Sequence, residues 1–315
     1  MTAWMIIGGA LAVWVLLELK TSRPDGTLVR THPYRRLMWY IMPTRIESMA
    51  YIDVDVDATQ LESYLARARE RFGANITHTL VAGVHLGLRA APTSNRFVVG
   101  KRLYERKGYW VTFSMKRKKL DRKAKLATVK LEMLENETFR ELCERINGEI
   151  GTQRSGKKTG TDLEFQLFNA LPRPALELMT RVLRLLDYYN LLPSFFIRGD
   201  GLYTSAFVVN LGSLGMPAAY HHLFEYGTAM GFLAAGTIVD DVRFRDGKVE
   251  PWRRLPMRVA FDERIEDGLS VSRGLVHLAK VLEDPYRYLG CLEDDGSDAS
   301  PLWPQPNWLA EDDEG

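Results

Sequence analysis

Two cysteines in 315 residues, Cys143 and Cys291, are too few and too far apart to build a disulfide framework or a zinc site. So sparse a use of cysteine points to a reducing compartment. An excess of charge of either sign is also missing. The 42 basic and 40 acidic residues leave a net charge of +2, which excludes a global pull on nucleic acid and makes any electrostatic function local. Close metal-ligand spacing is missing as well: His78 and His85 stand seven apart rather than three or four, and read as structural. No basic residue precedes the apolar N-terminal run and no small-x-small cleavage pattern follows it, which argues against a secretory signal peptide.

What is present begins with apolar mass. At 46% apolar and 10% aromatic the chain can bury a large core, which excludes a disordered or fibrous protein. The run from Ala3 to Leu17 carries no charge and is near the short limit for crossing a bilayer, so it predicts a transmembrane anchor over 1–20. Lys20, Arg23, Arg30, Arg35 and Arg36 follow, against Glu18 and Asp25. The positive-inside rule then predicts a single-pass membrane protein with its C-terminal domain in the cytoplasm. Residues 21–33, with Pro24, Asp25 and Gly26, read as a polar linker, and 34–289 as the folded domain.

Tyr51 to Asp57 alternates apolar and acidic residues, the pattern of a half-buried strand. The same alternation spreads Asp53, Asp55 and Asp57 along one solvated face, and no bidentate Glu follows at the spacing of a calcium loop. A helix over 60–72 places Leu61, Tyr64, Leu65 and Ala68 on one side. A second, over 77–90, is too apolar for a surface and must lie against a sheet. Short strands are predicted over 96–99, 102–105, 109–115 and 126–133, then an amphipathic helix over 139–150 opened by Asn136 or Thr138. The basic run Lys116 to Lys125 lacks interleaved aromatics, which speaks against nucleic acid. It fits a solvated hairpin, a contact with coenzyme A phosphates, or an anionic membrane surface.

Several of these segments carry a family resemblance. Phe261-Asp262-Glu263-Arg264-Ile265-Glu266-Asp267-Gly268 resembles the Tyr/Phe-Asp-His-Arg-x-x-Asp-Gly run of the catalytic domains of 2-oxoacid dehydrogenase acyltransferases (E2 components) and of chloramphenicol acetyltransferase, with Glu263 in place of the histidine. Ala206 to Gly215 resembles that family's Phe-Thr-Ile-Ser-Asn-Leu-Gly strand and turn, and Gly231 to Gly236 its apolar strand. The resemblance extends over roughly 34–286. It implies an α/β (α+β two-layer sandwich) fold, a chloramphenicol acetyltransferase-like mixed sheet with flanking helices, and a homotrimer. The chain departs from the family in an apolar helical insertion over 163–198, rich in arginine and interrupted by Pro172, Pro174 and Pro193. That composition suits an interfacial membrane helix, a subunit contact or an extra core helix.

The chemistry implied by the resemblance is weakened at two points. Acyl transfer between thiols needs a base for the attacking thiol and donors for the developing oxyanion. Glu263 is a poor base for a thiol unless burial raises its pKa. Where the family places an oxyanion hydroxyl, this chain has Phe207, Val208 and Val209, leaving Thr204, Ser205 or Ser213 as substitutes. Arg264, Asp267 and Gly268 keep the loop framework. Glu263, Asp267 and Arg264 are the candidate catalytic residues; Asn210, Gly212, Ser213, His221 and His222 are the candidate ligand-binding residues. His221-His222 only superficially resembles the His-His-x-x-x-Asp-Gly motif of condensation domains, since Tyr226 takes the place of the Asp.

Two functional readings stay open. One is a membrane-anchored pseudoenzyme, a trimeric scaffold or acyl-CoA- or lipid-binding subunit. The other is an active acyltransferase using a coenzyme A thioester, with Glu263 or a relocated histidine as base. Neither needs a metal, and no lipoyl domain is present to carry a lipoyl group. The acidic segment 290–315 predicts a disordered tail whose Trp303 and Trp308 could form a protein-partner motif.

Overall fold

The computed structural model of the protein describes residues 2–116, 126–155 and 170–303. The basic run at 117–125, the start of the insertion and Trp308 lie outside these residues. The sequence alternation over 51–57 is realised as strand β2 (Met49–Asp57). It pairs antiparallel with the long strand β10 (Lys248–Asp262), so that Asp53 and Asp55 meet Arg258 and Arg254 across an exposed face, while Asp57 meets Arg243 of the neighbouring strand. β10 continues antiparallel to β8 (Gly231–Ala235), and β8 runs parallel to β7 (Ala206–Asn210). β5 (Tyr109–Lys116) is parallel to β7 and antiparallel to β6 (Leu126–Met133). With β9 (Val239–Arg245) on β10, this makes a seven-stranded mixed sheet of order β2-β10-β8-β7-β5-β6. β1 (Gly26–Leu28), β4 (Arg102–Arg106) and β3 (Arg96–Val99) form a separate three-stranded antiparallel sheet.

One face of the large sheet is covered by α3 (Thr59–Phe72), α4 (Ile76–Ala90), α5 (Phe139–Arg154) and α8 (Gly268–Glu283). Leu61, Tyr64, Leu65 and Ala68 all point into this core, as the helical spacing requires. α4 is buried nearly all round because it lies between the sheet and α8. The two helices cross at Gly87 and Gly274; a Cβ on Gly87 would stand 2.6 Å from the Gly274 carbonyl oxygen. His78 closes a capping box with Asn75 at the start of α4, and His85 Nε2 lies 2.9 Å from the Leu302 carbonyl oxygen. Burial pushes both imidazoles down to about 4, so each is neutral near pH 7. The opposite face of the sheet packs Phe207, Phe232, Ala234 and Ala260 against the segment around Leu223.

Three expectations meet a different arrangement, and the helical insertion is seen in part. α1 (Thr2–Leu19) exposes its apolar side chains, but among the described residues no helix is long and apolar enough to cross a membrane. The expected transmembrane span is therefore not supported. The segment expected to be a linker is built into the domain. Arg23 is buried, holds both carboxylate oxygens of Asp25 at 2.8 and 3.3 Å, and reaches Asp187 at 2.9 Å, while Gly26–Leu28 joins β4. The apolar insertion is, where described, two helices, α6 (Arg173–Tyr188) and α7 (Ser194–Gly199), separated at Pro193. Finally, 291–303 of the expected disordered tail docks on the domain. Cys291, Leu292 and Leu302 are buried, and Trp303 stacks against the Arg89 guanidinium 3.1 Å from the ring centroid. An acidic stretch that carries well-spaced apolar anchors can bury them whatever its net charge.

Candidate functional site

β10 ends at Asp262, and the chain turns through Glu263–Asp267 into α8. Alternation along a strand end sends Asp262 and Arg264 to the same inner side. There Arg264 grips both carboxylate oxygens of Asp262, Nε at 2.9 Å and Nη2 at 2.7 Å, and the Asp262 carboxylate also accepts from the Arg264 amide and from Ser48 Oγ. Both residues are buried. Trp39 Nε1 donates to the Arg264 carbonyl at 3.1 Å. Arg45, also buried, donates to the Gly227 and Ala229 carbonyls. Burial lowers the Arg45 pKa, with Asp262 opposing the shift. Bidentate, desolvated pairs of this kind fix geometry, and removal of one partner is costly.

The outer side of the same turn is different. Glu263 is exposed, and among the described residues its carboxylate has no hydrogen-bond or ion-pair partner; only its amide is held, by the Ser48 carbonyl at 2.9 Å. Asp267 is exposed and acts as the N-cap of α8, its carboxylate accepting from the Ser270 amide at 3.1 Å. Of the three candidate catalytic residues, then, Arg264 and Asp267 shape the loop, and Glu263 stands in solvent.

The candidate ligand-binding turn lies elsewhere. Asn210 pairs with Ala235 and, through β8, faces Met257, whereas Glu263 lies two residues beyond Phe261, which faces Gly231. Four strand residues, roughly 13 Å, separate the two levels. Within the turn, Asn210 accepts from the Ser213 amide at 3.0 Å and donates to Thr77 Oγ1 at 3.2 Å, and Ser213 Oγ donates to the Asn210 carbonyl at 2.8 Å. Gly212 opens the 3-10 turn between them. The other substitute hydroxyls are engaged too: Thr204 Oγ1 donates to the Trp110 carbonyl and Ser205 Oγ accepts from the Trp110 amide. Val208 is fully buried in the helix-side core.

His221 lies flat on Phe232, ring centroids 3.9 Å apart and planes 7° from parallel, with His222 stacked beyond it. Among the described residues neither imidazole hydrogen-bonds a carboxylate, the partner a general base would use for orientation. Cys143 and Cys291 are buried thiols whose pKa burial pushes up, which makes them poor nucleophiles. Among the described residues no group of three or more His, Cys, Asp or Glu could hold a metal. The Asp262 clamp itself was missing from the sequence candidates, although the i, i+2 spacing of Asp262 and Arg264 at a strand end was a signal for it.

The architecture matches solved acyltransferase cores. A probable dihydrolipoamide acetyltransferase from Listeria monocytogenes 4b F2365 superposes with a TM-score of 0.55 over 82% of this chain and 94% of its own, at 15% identity. The cubic core of the pyruvate dehydrogenase multienzyme complex gives 0.54 over 82% and 93%, at 16% identity. The dihydrolipoamide acetyltransferase (E2p) of Azotobacter vinelandii, studied for the role of a serine, a histidine and an asparagine in its catalytic mechanism, gives the same values. These likenesses define the fold: a mixed sheet with flanking helices of the acyltransferase-core kind. No family model and no curated protein matches the chain.

Proposed function

We propose that this protein is a catalytically silent acyltransferase-fold subunit, a homotrimeric scaffold or acyl-CoA- or lipid-binding protein held at a membrane by α1 with its folded domain in the cytoplasm. The observation that carries the reading is the turn after β10: Asp262 and Arg264 hold it rigidly, while the position that the family resemblance gives to the catalytic histidine is a solvent-exposed, unpartnered glutamate. The absent strand hydroxyl points the same way: of the three hydroxyls that could replace it, Thr204 and Ser213 donate to backbone carbonyls and Ser205 is fully buried. Asp267, four residues beyond Glu263, is occupied as a helix cap.

Distance bears on the assembly: Glu263 and the Asn210 turn sit at opposite ends of the central strands, which favours a site shared between copies over one within a single copy. The trimer implied by the resemblance supplies such an arrangement. For the membrane, α1 offers exposed Trp4, Ile6, Leu16 and Leu19 and is joined to the domain at its C-terminal end, where Arg102 meets Glu18 and Asn190 donates to the Lys20 carbonyl at 3.0 Å. Eighteen residues make about 27 Å of helix, slightly less than a hydrocarbon core of about 30 Å. Flotation of the full chain with liposomes, compared with a variant lacking residues 1–20, tests the anchor: the full chain rises with the vesicles and the shortened one stays behind. Light scattering of the shortened protein reads the trimer, and a monomeric mass would remove the scaffold reading.

A further inference from the structure

Away from the 262–268 turn, between the three-stranded sheet, β5 and β6, and α7, lies a polar cleft of about 180 Å³. Its charged lining is Arg106, Lys107, Lys130 and Arg198 against Asp25 and Glu132. Four cations facing two anions leave an excess of two positive charges. One of the two anions is already engaged, since Arg23 binds both oxygens of Asp25. Arg106 is 5% exposed; its Nη2 donates to the Thr228 carbonyl and hydroxyl at 2.7 and 3.0 Å, and its Nε has no partner. The Lys130 ammonium donates to the Ile197 and Asp200 carbonyls at 2.7 and 3.1 Å and stands 5.0 Å from the centre of the Trp110 ring. Among the described residues neither cation forms an ion pair with a carboxylate.

Asp25 acts on both cations at longer range, and Asp200 and Glu132 on Lys130, but none of these carboxylates is in direct contact. An excess of basic over acidic side chains around a partly desolvated cleft leaves a place for an anion. Burial acts on both groups, holding Arg106 down at about 9 and Lys130 at about 8. A guanidinium and an ammonium converging from different strands, with two longer basic side chains beside them, offer the several N–H donors that a tetrahedral oxyanion accepts. We propose that this cleft binds a phosphate group, either free phosphate or the head of a phosphomonoester. A dianionic phosphate would balance the charge excess. The inference does not depend on whether Glu263 is catalytic.

Calorimetric titration of the full chain with inorganic phosphate, phenyl phosphate and, at matched ionic strength, sodium acetate and sodium chloride tests it. Saturable phosphate binding is expected, with acetate and chloride silent. Phenyl phosphate binding more tightly than phosphate would assign the site to an ester, and equal or weaker binding would assign it to the free ion. Lys130→Gln removes a charged donor and should weaken binding about tenfold or more. Arg198→Ala, an exposed change that leaves the fold alone, should weaken it about threefold. Arg140→Ala, on a distant helix, should change nothing. Absence of saturation, equal binding of acetate, or affinity unchanged in both Lys130→Gln and Arg198→Ala would overturn the proposal, and the Arg198 variant decides alone if the Lys130 variant does not fold.

Discussion

Glu263 and Arg264 are adjacent in the chain and face opposite ways, one into solvent and the other into a buried carboxylate. The inner side of this turn carries the features of a site that must keep its shape: a bidentate ion pair, a serine hydroxyl on the same carboxylate, and an indole donor on the loop carbonyl. The outer side carries none of the features that make a base. A general base is oriented by a hydrogen-bonding partner, and among the described residues the exposed Glu263 carboxylate has none. The contrast teaches that the shape of the turn rests on the interior pair and not on the side chain at its exposed position.

The largest effect should come from breaking the inner side. Asp262→Ala leaves the Arg264 guanidinium buried and uncompensated, and urea denaturation should show a loss of about 3–5 kcal/mol. A loss under about 1 kcal/mol would mean the turn is held by something else. Next is the interior as a whole, probed by acid. His78 and His85 have folded pKa values near 4, against 6.5 unfolded, chiefly through burial. The unfolded chain therefore binds their protons first. Their contribution to stability is whole above pH 6.5 and is lost as pH falls towards 4, on the order of 3 kcal/mol for each imidazole. Denaturation midpoints measured between pH 7 and 4 should fall steeply, and His78→Gln should flatten part of that slope.

Smaller effects belong to the outer side. Asp267→Ala removes an N-cap and should cost about 1 kcal/mol, read as a lower melting temperature with Asp267→Asn close to the parent. Glu263→Gln touches no partner and should shift stability by less than about 0.5 kcal/mol. A larger loss would show that the exposed carboxylate has a structural contact and would blur the contrast.

Much of the fold was legible because its elements have one buried side. The alternation over 51–57 needs β2, and the apolar run over 77–90 needs a helix covered on all sides, as α4 is by the sheet and α8. The candidate site was legible as a motif and illegible as a place. That Asn210 and Glu263 lie at opposite ends of the strands depends on the antiparallel register of β10 on β8, which no local pattern encodes. The same holds for Arg106 and Lys130, which stand far apart in sequence and share a cleft through strand pairing and the position of α7. Composition misled at the termini. An acidic stretch and a Pro-Asp-Gly segment suggested disorder and a linker, yet Leu302 and Arg23 are buried through specific partners.

The central claim is that the turn has kept its framework and lost its base, and release of free thiol from acetyl-CoA, followed for the parent protein beside Glu263→Gln and Glu263→His, tests it most directly. The account predicts no turnover above background for the parent or Glu263→Gln, and little recovery in Glu263→His because the strand hydroxyl is also missing. Turnover by the parent that Glu263→Gln abolishes would contradict it and make Glu263 the base of a working acyltransferase.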